Sequence, residues 1–258
     1  MFKKILHIQK GEPQPKVHPG RAMIQLIPHP DLAALSPLFN SLRLQHSYAT
    51  SIPDPTQSQS PEPVNSITFI QESDPEQRVL YYTLIEHPDT DTDLDLTSGL
   101  ASFLKDGAQK TPNIWQLMIS GILSENLQQK EKTAGTTLSS QSRSIAELPQ
   151  ITAAAHADLR LLTGRYEDLS TQILPSPKAV FPGPLYNLVH GRLPKGSAIQ
   201  LDAVAGHLTL LYLISGQILT CQETIEAKRL VLFEKENDEL LIRACKDSQF
   251  LWINFTTL

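Results

Sequence analysis

The stretch His207-Leu-Thr-Leu-Leu-Tyr-Leu-Ile-Ser-Gly-Gln-Ile-Leu219 decides how this chain is read. Leu208 to Ile214 is a long apolar strand, Ser215-Gly216 is a turn, and Gln217 to Thr220 returns as the second arm of a hairpin. The same rhythm extends on both sides. Upstream, Leu159 to Leu162 ends at Thr163-Gly164, Leu185 to His190 runs into Gly191-Arg-Leu-Pro-Lys-Gly196, and Ala198 to Leu201 follows. Downstream, Lys228 to Phe233 ends at the charged turn Glu234 to Glu239, and Leu240 to Arg243 and Phe250 to Phe255 close the series. Short strands at regular spacing with turn residues between them are the pattern of a sandwich or barrel. Closing such a meander removes the free edges that invite aggregation.

The earlier part of the chain is less regular. Ala22 to Ile27, Ser66 to Ile70 and Arg78 to Ile85 read as strands, rich in β-branched and aromatic residues. Pro28-His-Pro-Asp31 breaks the first, and Pro37 to Phe39 begins another extended piece. Ile114 to Leu123 is apolar, and periodicity leaves it open as strand or helix. The Pro/Ser/Gln-rich segment 51–63 buries too little apolar surface to offset its ordering entropy and reads as an exposed loop. Asn126 to Ser144 is polar and of low complexity, a linker, and Ile145 to Ala157 reads as a short helix or connector with Ser144 as its cap. The expected organisation is an N-terminal domain over 1–125, a linker over 126–150 and a C-terminal domain over 151–258.

Composition limits the function classes. Of 258 residues, 40% are hydrophobic and 19% charged, which describes a globular chain with room for one large or two ordinary domains. The net charge is −5 and no Lys/Arg run exceeds two, so no nucleic-acid or anionic-membrane partner is expected. The two cysteines, Cys221 and Cys245, read as reduced structural thiols. The first eight residues are too short an apolar run for a signal peptide, and no stretch approaches the roughly 20 apolar residues of a membrane helix. The expected location is the cytoplasm.

With these strands in place, the chain resembles the pirin family, proteins built from two tandem cupin barrels. His207 to Leu219 resembles the central hairpin of the family's C-terminal cupin. Leu159 to Gly164 resembles the strand that opens that half, and Pro184 to Gly196 its strand and following turn. Leu230 to Phe233, Asp238 to Arg243 and Phe250 to Ile253 resemble its final strands. In the first half, Ile27 to Phe39 and Trp115 with Gly121-Ile-Leu123 resemble family segments collinearly. The fold this implies is all-β, with two tandem cupin-type (double-stranded β-helix, jelly-roll) barrels, the N-terminal one degenerate.

In pirins the N-terminal cupin holds one iron through three His and one Glu. Here the second ligand element falls on Ser124 and Asn126, and the first is missing, with the Pro/Ser/Gln-rich loop in its place and only His46 nearby. Imidazole and carboxylate are the donors such a metal needs. No catalytic, cofactor-binding or metal-binding residue is therefore assigned, and no cofactor is expected, although the family implies iron.

Other candidates are weaker. No histidine pair has the two-residue spacing that aims two side chains at one metal from a strand, and residue 205, two before His207, is Ala. His46 and His87 are the one pair that folding could bring together. Asp89, Asp91, Asp93 and Asp95 suggest calcium, but Leu94 and Leu100 stand where an EF-hand loop needs Gly and Glu. Trp115 and Trp252 are expected in the core. The resemblance implies either flavonol dioxygenation, as of quercetin, or metal-linked protein binding, including transcriptional co-regulation. Loss of the ligands favours a non-catalytic protein that binds a protein partner or an apolar small molecule.

Overall fold

The computed structural model describes residues 2–14, 21–26, 42–49, 65–73, 78–87, 114–122, 141–154, 156–171, 185–203 and 206–255. Nineteen strands lie among them. The N-terminal half contributes β1 (Ile5–Lys10), β2 (Glu12–Gln14), β3 (Arg21–Leu26), β4 (Leu42–Ala49), β5 (Asn65–Ser73), β6 (Arg78–His87), β7 (Ile114–Ile122) and β8 (Gln141–Ser144). The C-terminal half contributes β9 (Gln150–Ile151), β10 (Asp158–Tyr166), β11 (Leu169–Thr171), β12 (Leu185–Leu193), β13 (Ala198–Asp202), β14 (Leu208–Ser215), β15 (Gln217–Thr220), β16 (Glu223–Glu226), β17 (Arg229–Phe233), β18 (Glu239–Ala244) and β19 (Ser248–Phe255). One turn of 3-10 helix, Ile145–Glu147, is the helix among the described residues. No helix there is long and apolar enough to cross a membrane.

The strands form three antiparallel sheets. Strands β2 to β8 make a seven-stranded meander in chain order. An eight-stranded sheet runs β1-β17-β14-β19-β12-β10-β11, with β9 also on β10, and a four-stranded sheet runs β13-β18-β15-β16. The last two face each other as a jelly-roll pair around one apolar core, which includes Leu161, Val189, Leu211, Leu213, Ile242 and Trp252. The other face of the eight-stranded sheet packs on the meander through a second core, which joins Leu44, Phe69, Leu84 and Trp115 to Leu210, Tyr212, Ile253 and Phe255.

The eight-stranded sheet is therefore a middle layer, and this explains the apolar run at its centre. Strands alternate their side chains, so a sheet with one wet face reads apolar-polar. In β14, Leu208, Leu210, Tyr212 and Ile214 point to the meander, while Leu211 and Leu213 point into the C-terminal barrel. Both faces are dry, and all seven residues from Leu208 to Ile214 are buried. Strand β19 divides in the same way, with Trp252 on the barrel side and Ile253 and Phe255 on the meander side. Gly216 closes the β14–β15 hairpin at φ +85°, where an added Cβ would strike the Asp247 carbonyl, so the turn requires glycine.

Several segments fall differently from the sequence reading. Gln141–Ser144, expected in the linker, is β8 on the edge of the meander, and Ile145 and Leu148 beyond it are buried. Ser144 stands at the N-cap of the 3-10 turn without a side-chain capping bond. β7 is a strand, its helix alternative removed by antiparallel pairing with β6 from Val79↔Ile122 to His87↔Ile114. β1 leaves the N-terminal half altogether and pairs with β17. Segments 51–63, 89–95, 100–104 and 126–140 lie outside the described residues.

Candidate functional site

The alternation of the meander sets out two faces of opposite character. Toward the middle layer it presents Ile24, Leu26, Leu44, Ile67, Phe69, Tyr82, Leu84, Trp115 and Leu117, all buried. Three polar residues share that phase: His46, Asn65 and Glu86. His46 and Glu86 are 1% and 2% exposed, and Asn65 is half-buried. Buried polar groups require partners, and these three find them in one chain. The Asn65 amide nitrogen donates to Glu86 Oε2, which turns the Asn65 carbonyl toward His46. His46 Nε2–H donates to Asn65 Oδ1 at 3.3 Å. Nδ1 is then the acceptor, and it receives the phenol O–H of Tyr212 at 2.6 Å from across the layer boundary. The tautomer follows from these partners.

The surroundings keep His46 neutral. Burial pushes its pKa down to about 4; the Asn65 hydrogen bond opposes this, and the Lys228 charge adds to it. Burial likewise holds the Tyr212 phenol above its ordinary range. The Lys228 ammonium lies 3.2 Å from the centroid of the Tyr48 ring, and Tyr48 in turn stacks tilted against His46 at 5.4 Å. A second histidine, His190 on β12, sits in the same layer against Trp115, ring centroids 5.3 Å apart. It is 1% exposed, and neither ring nitrogen has a hydrogen-bond partner among the described residues. Burial first, and then the Arg192 charge, push its pKa down to about 3.

The opposite face of the meander is mostly half-buried and carries Gln25, Gln45, Ser47, Ser66, Thr68, Thr83 and Gln116, together with Met23, Ile85 and the exposed Glu12 and Arg43. The register aligns Gln25, Gln45, Thr68 and Thr83 across four strands. The Thr68 and Thr83 hydroxyls meet at 3.2 Å, and Gln116 donates to Ser142. The C-terminal barrel contains a comparable uncharged chain. Thr209 Oγ1 donates to Asn254 Oδ1 at 2.7 Å, the Asn254 amide donates to Asn187 Oδ1 at 2.9 Å, and the Asn187 amide donates to the Arg165 carbonyl at 2.9 Å. Thr209→Val removes one donor and leaves the Asn254 carbonyl unpaired where it is 0% exposed. Chemical denaturation should show a loss of about 1–3 kcal/mol; an unchanged midpoint would mean that Asn254 is satisfied elsewhere.

The described residues do not fit an iron site. Among them no three His, Cys, Asp or Glu side chains come together. Both His46 nitrogens are engaged in the relay to Tyr212 and Asn65. The register runs His46–Ile67–Leu84, so position 87 stands at an odd offset, on the face of the meander opposite to that of His46. Ser124, Asn126 and the Asp89–Asp95 run lie outside the described residues. His207 is half-buried at the start of β14, its ring 4.8 Å from that of Tyr186. Cys221 and Cys245 are free thiols, and Cys221 Sγ donates to the Lys3 carbonyl at 2.8 Å. The relay of His46, Asn65 and Glu86 went unread in the sequence. Its signal was present: each of the three stands in phase with apolar neighbours, as Leu44-Gln-His46-Ser-Tyr48 illustrates.

No protein-family model matches the sequence, and no curated protein matches it. Solved structures do. The chain is similar to a quercetin 2,3-dioxygenase from Acinetobacter baumannii at 17% identity and TM-score 0.55, over 99% of this chain and 88% of that one. A second structure of that description from the same organism gives 12% identity and TM-score 0.53, over 98% and 79%. YhhW from Escherichia coli, described as a bacterial pirin, gives 11% identity and TM-score 0.48, over 98% of each chain. At these identities the likeness is one of fold. Together with the layered sheets, the likeness to the two Acinetobacter structures gives an all-β fold with two tandem cupin-type halves. Among the described residues the C-terminal half shows two facing sheets and the N-terminal half one.

Proposed function

We propose that this is a pirin-like bicupin without a working metal site, which acts by binding rather than by catalysis. One observation carries the reading. Among the described residues no three imidazole, thiolate or carboxylate side chains come together, and the meander face turned away from the middle layer is mostly amides, hydroxyls and apolar side chains, where an iron site needs several imidazole and carboxylate donors at one point. Without such donors there is no means of activating oxygen. A protein partner is preferred to a small molecule in the C-terminal barrel, whose interior is filled: the Phe250 ring packs where a side chain on Gly191 would stand. The proposed setting is the cytoplasm.

Full-length protein expressed with added iron tests this. The expected result is metal content well below one per chain, no consumption of quercetin, and recovery of a specific partner on affinity capture. Stoichiometric iron with quercetin turnover would overturn it. That outcome belongs to the second reading, an iron-dependent quercetin-type dioxygenase, which the fold likeness to the Acinetobacter enzyme favours.

A further inference from the structure

The two apolar cores differ in one respect that bears on regulation. The core between the meander and the middle layer contains both buried histidines, His46 and His190, together with the Glu86 carboxylate. The buried polar side chains of the C-terminal barrel's interior chain are Asn187, Thr209 and Asn254, none of which takes up a proton in mild acid. Lys3, buried at the β1 edge with its ammonium on the Glu234 carbonyl at 2.9 Å, is a base that acid leaves charged. Among the described residues, the fully buried histidines are therefore confined to the contact between the layers.

We propose that the contact between the two halves is an acid-released latch, with His46 as its sensor, that opens while the C-terminal barrel stays folded. The reasoning is geometric. The Tyr212–His46 bond joins a middle-layer strand to a meander strand. A proton on Nδ1 reverses that bond: Nδ1–H then donates to the phenol oxygen, and the Tyr212 O–H, 0% exposed, loses its acceptor in a layer too dry to solvate the imidazolium.

Lys228, above Tyr48, opposes a second positive charge. The Tyr212 phenol, held above its ordinary range by burial, stays neutral in acid. Asn65 does not titrate. Glu86 is one amide away, bonded to Asn65 rather than to the His46 ring. Around His190 the charged neighbours are Arg192 on its own strand and Arg160 at the paired position of β10, and Arg160 is matched by Asp158 at 2.8 Å. Both arginines disfavour a third charge. Separation exposes the apolar faces of two sheets, a surface of the kind that recruits a partner.

The chain supplies its own reporters, because its two tryptophans lie in different cores: Trp115 in the interlayer and Trp252 in the barrel. Full-length Trp252→Phe leaves Trp115 as the emitter, and Trp115→Phe leaves Trp252. In a titration from pH 7 to pH 3.5, the Trp115 emission should shift to the red about one pH unit or more above the Trp252 emission. Coincident transitions would overturn the proposal, and this comparison needs no histidine variant. His46→Gln, which can still accept from Tyr212 and donate to Asn65 without titrating, should move the Trp115 transition to lower pH. An unmoved transition in a folded His46→Gln protein would overturn His46 as the sensor. These outcomes are independent of iron content and of quercetin turnover.

Discussion

Acidification from pH 7 to pH 4 should cost this fold about 6 kcal/mol through its two interlayer histidines alone, at about 1.4 kcal/mol per unit of pKa displacement. His46 and His190 are held at about 4 and about 3, below an ordinary value near 6.5. Both shifts are downward, so the unfolded chain takes up these protons first. The stabilising contribution is complete above the unfolded value, falls as the pH drops below it, and stops falling at the folded value. Each histidine supplies about 3 kcal/mol of the loss at pH 4. Most single domains have only about 5–15 kcal/mol in total, so an acid transition should be visible in this range. His190→Leu removes one of the two titrations and replaces an imidazole whose nitrogens lack partners. Urea denaturation at pH 7 and pH 4 is the measurement. The difference between the two pH values should shrink by about 3 kcal/mol in the variant; an unchanged difference would show that His190 takes up its proton at the same pH folded and unfolded.

Trp252→Ala should cost about 3–5 kcal/mol, the range for deleting a buried aromatic ring whose site cannot collapse. Trp252 is 0% exposed and meets the Tyr166 ring edge-on at 5.6 Å. Its neighbours on the barrel side, Val189 and Leu211, come from strands that hydrogen-bond to its own on either side. A sheet held by ladders on both edges cannot move inward to fill the space. Trp252→Phe should cost less than about 1.5 kcal/mol, because it keeps a ring and removes an indole N–H that is buried without a partner. Thermal unfolding of the two variants checks the contrast; equal losses would place the energy in the N–H rather than in the packing.

The C-terminal strands were readable because each is bounded by a turn with its own chemistry, such as Ser215-Gly216 or Pro194-Lys-Gly196. β16 was not, since Glu223-Thr-Ile-Glu226 has one apolar residue, Ile225, and exists by pairing with β15. β1 was passed over for a different reason. Its ladder is to a strand more than 200 residues away, from Ile5↔Phe233 to Lys10↔Arg229, and the residues just before it extend the contact, with Lys3 N on the Glu239 carbonyl and Glu234 N on the Lys4 carbonyl, both at 2.9 Å. No local pattern encodes a contact of that range.

Turn chemistry and apolar runs by themselves determined that this chain is all-β; the cupin likeness, and the expectation that Ser124 and Asn126 stand at the ligand positions, came from the resemblance to pirins. These are local properties: a glycine tolerates its φ, and a hydroxyl lacks the donor strength of an imidazole, wherever the residue is placed. Only the tertiary structure decided that the eight-stranded sheet is a middle layer with two dry faces. It alone brought His46 from one half to Tyr212 in the other, 166 residues apart. Burial on both faces, and the partner that a buried polar group finds there, depend on which sheets stack. That is a property of the assembled chain, and no single strand carries it.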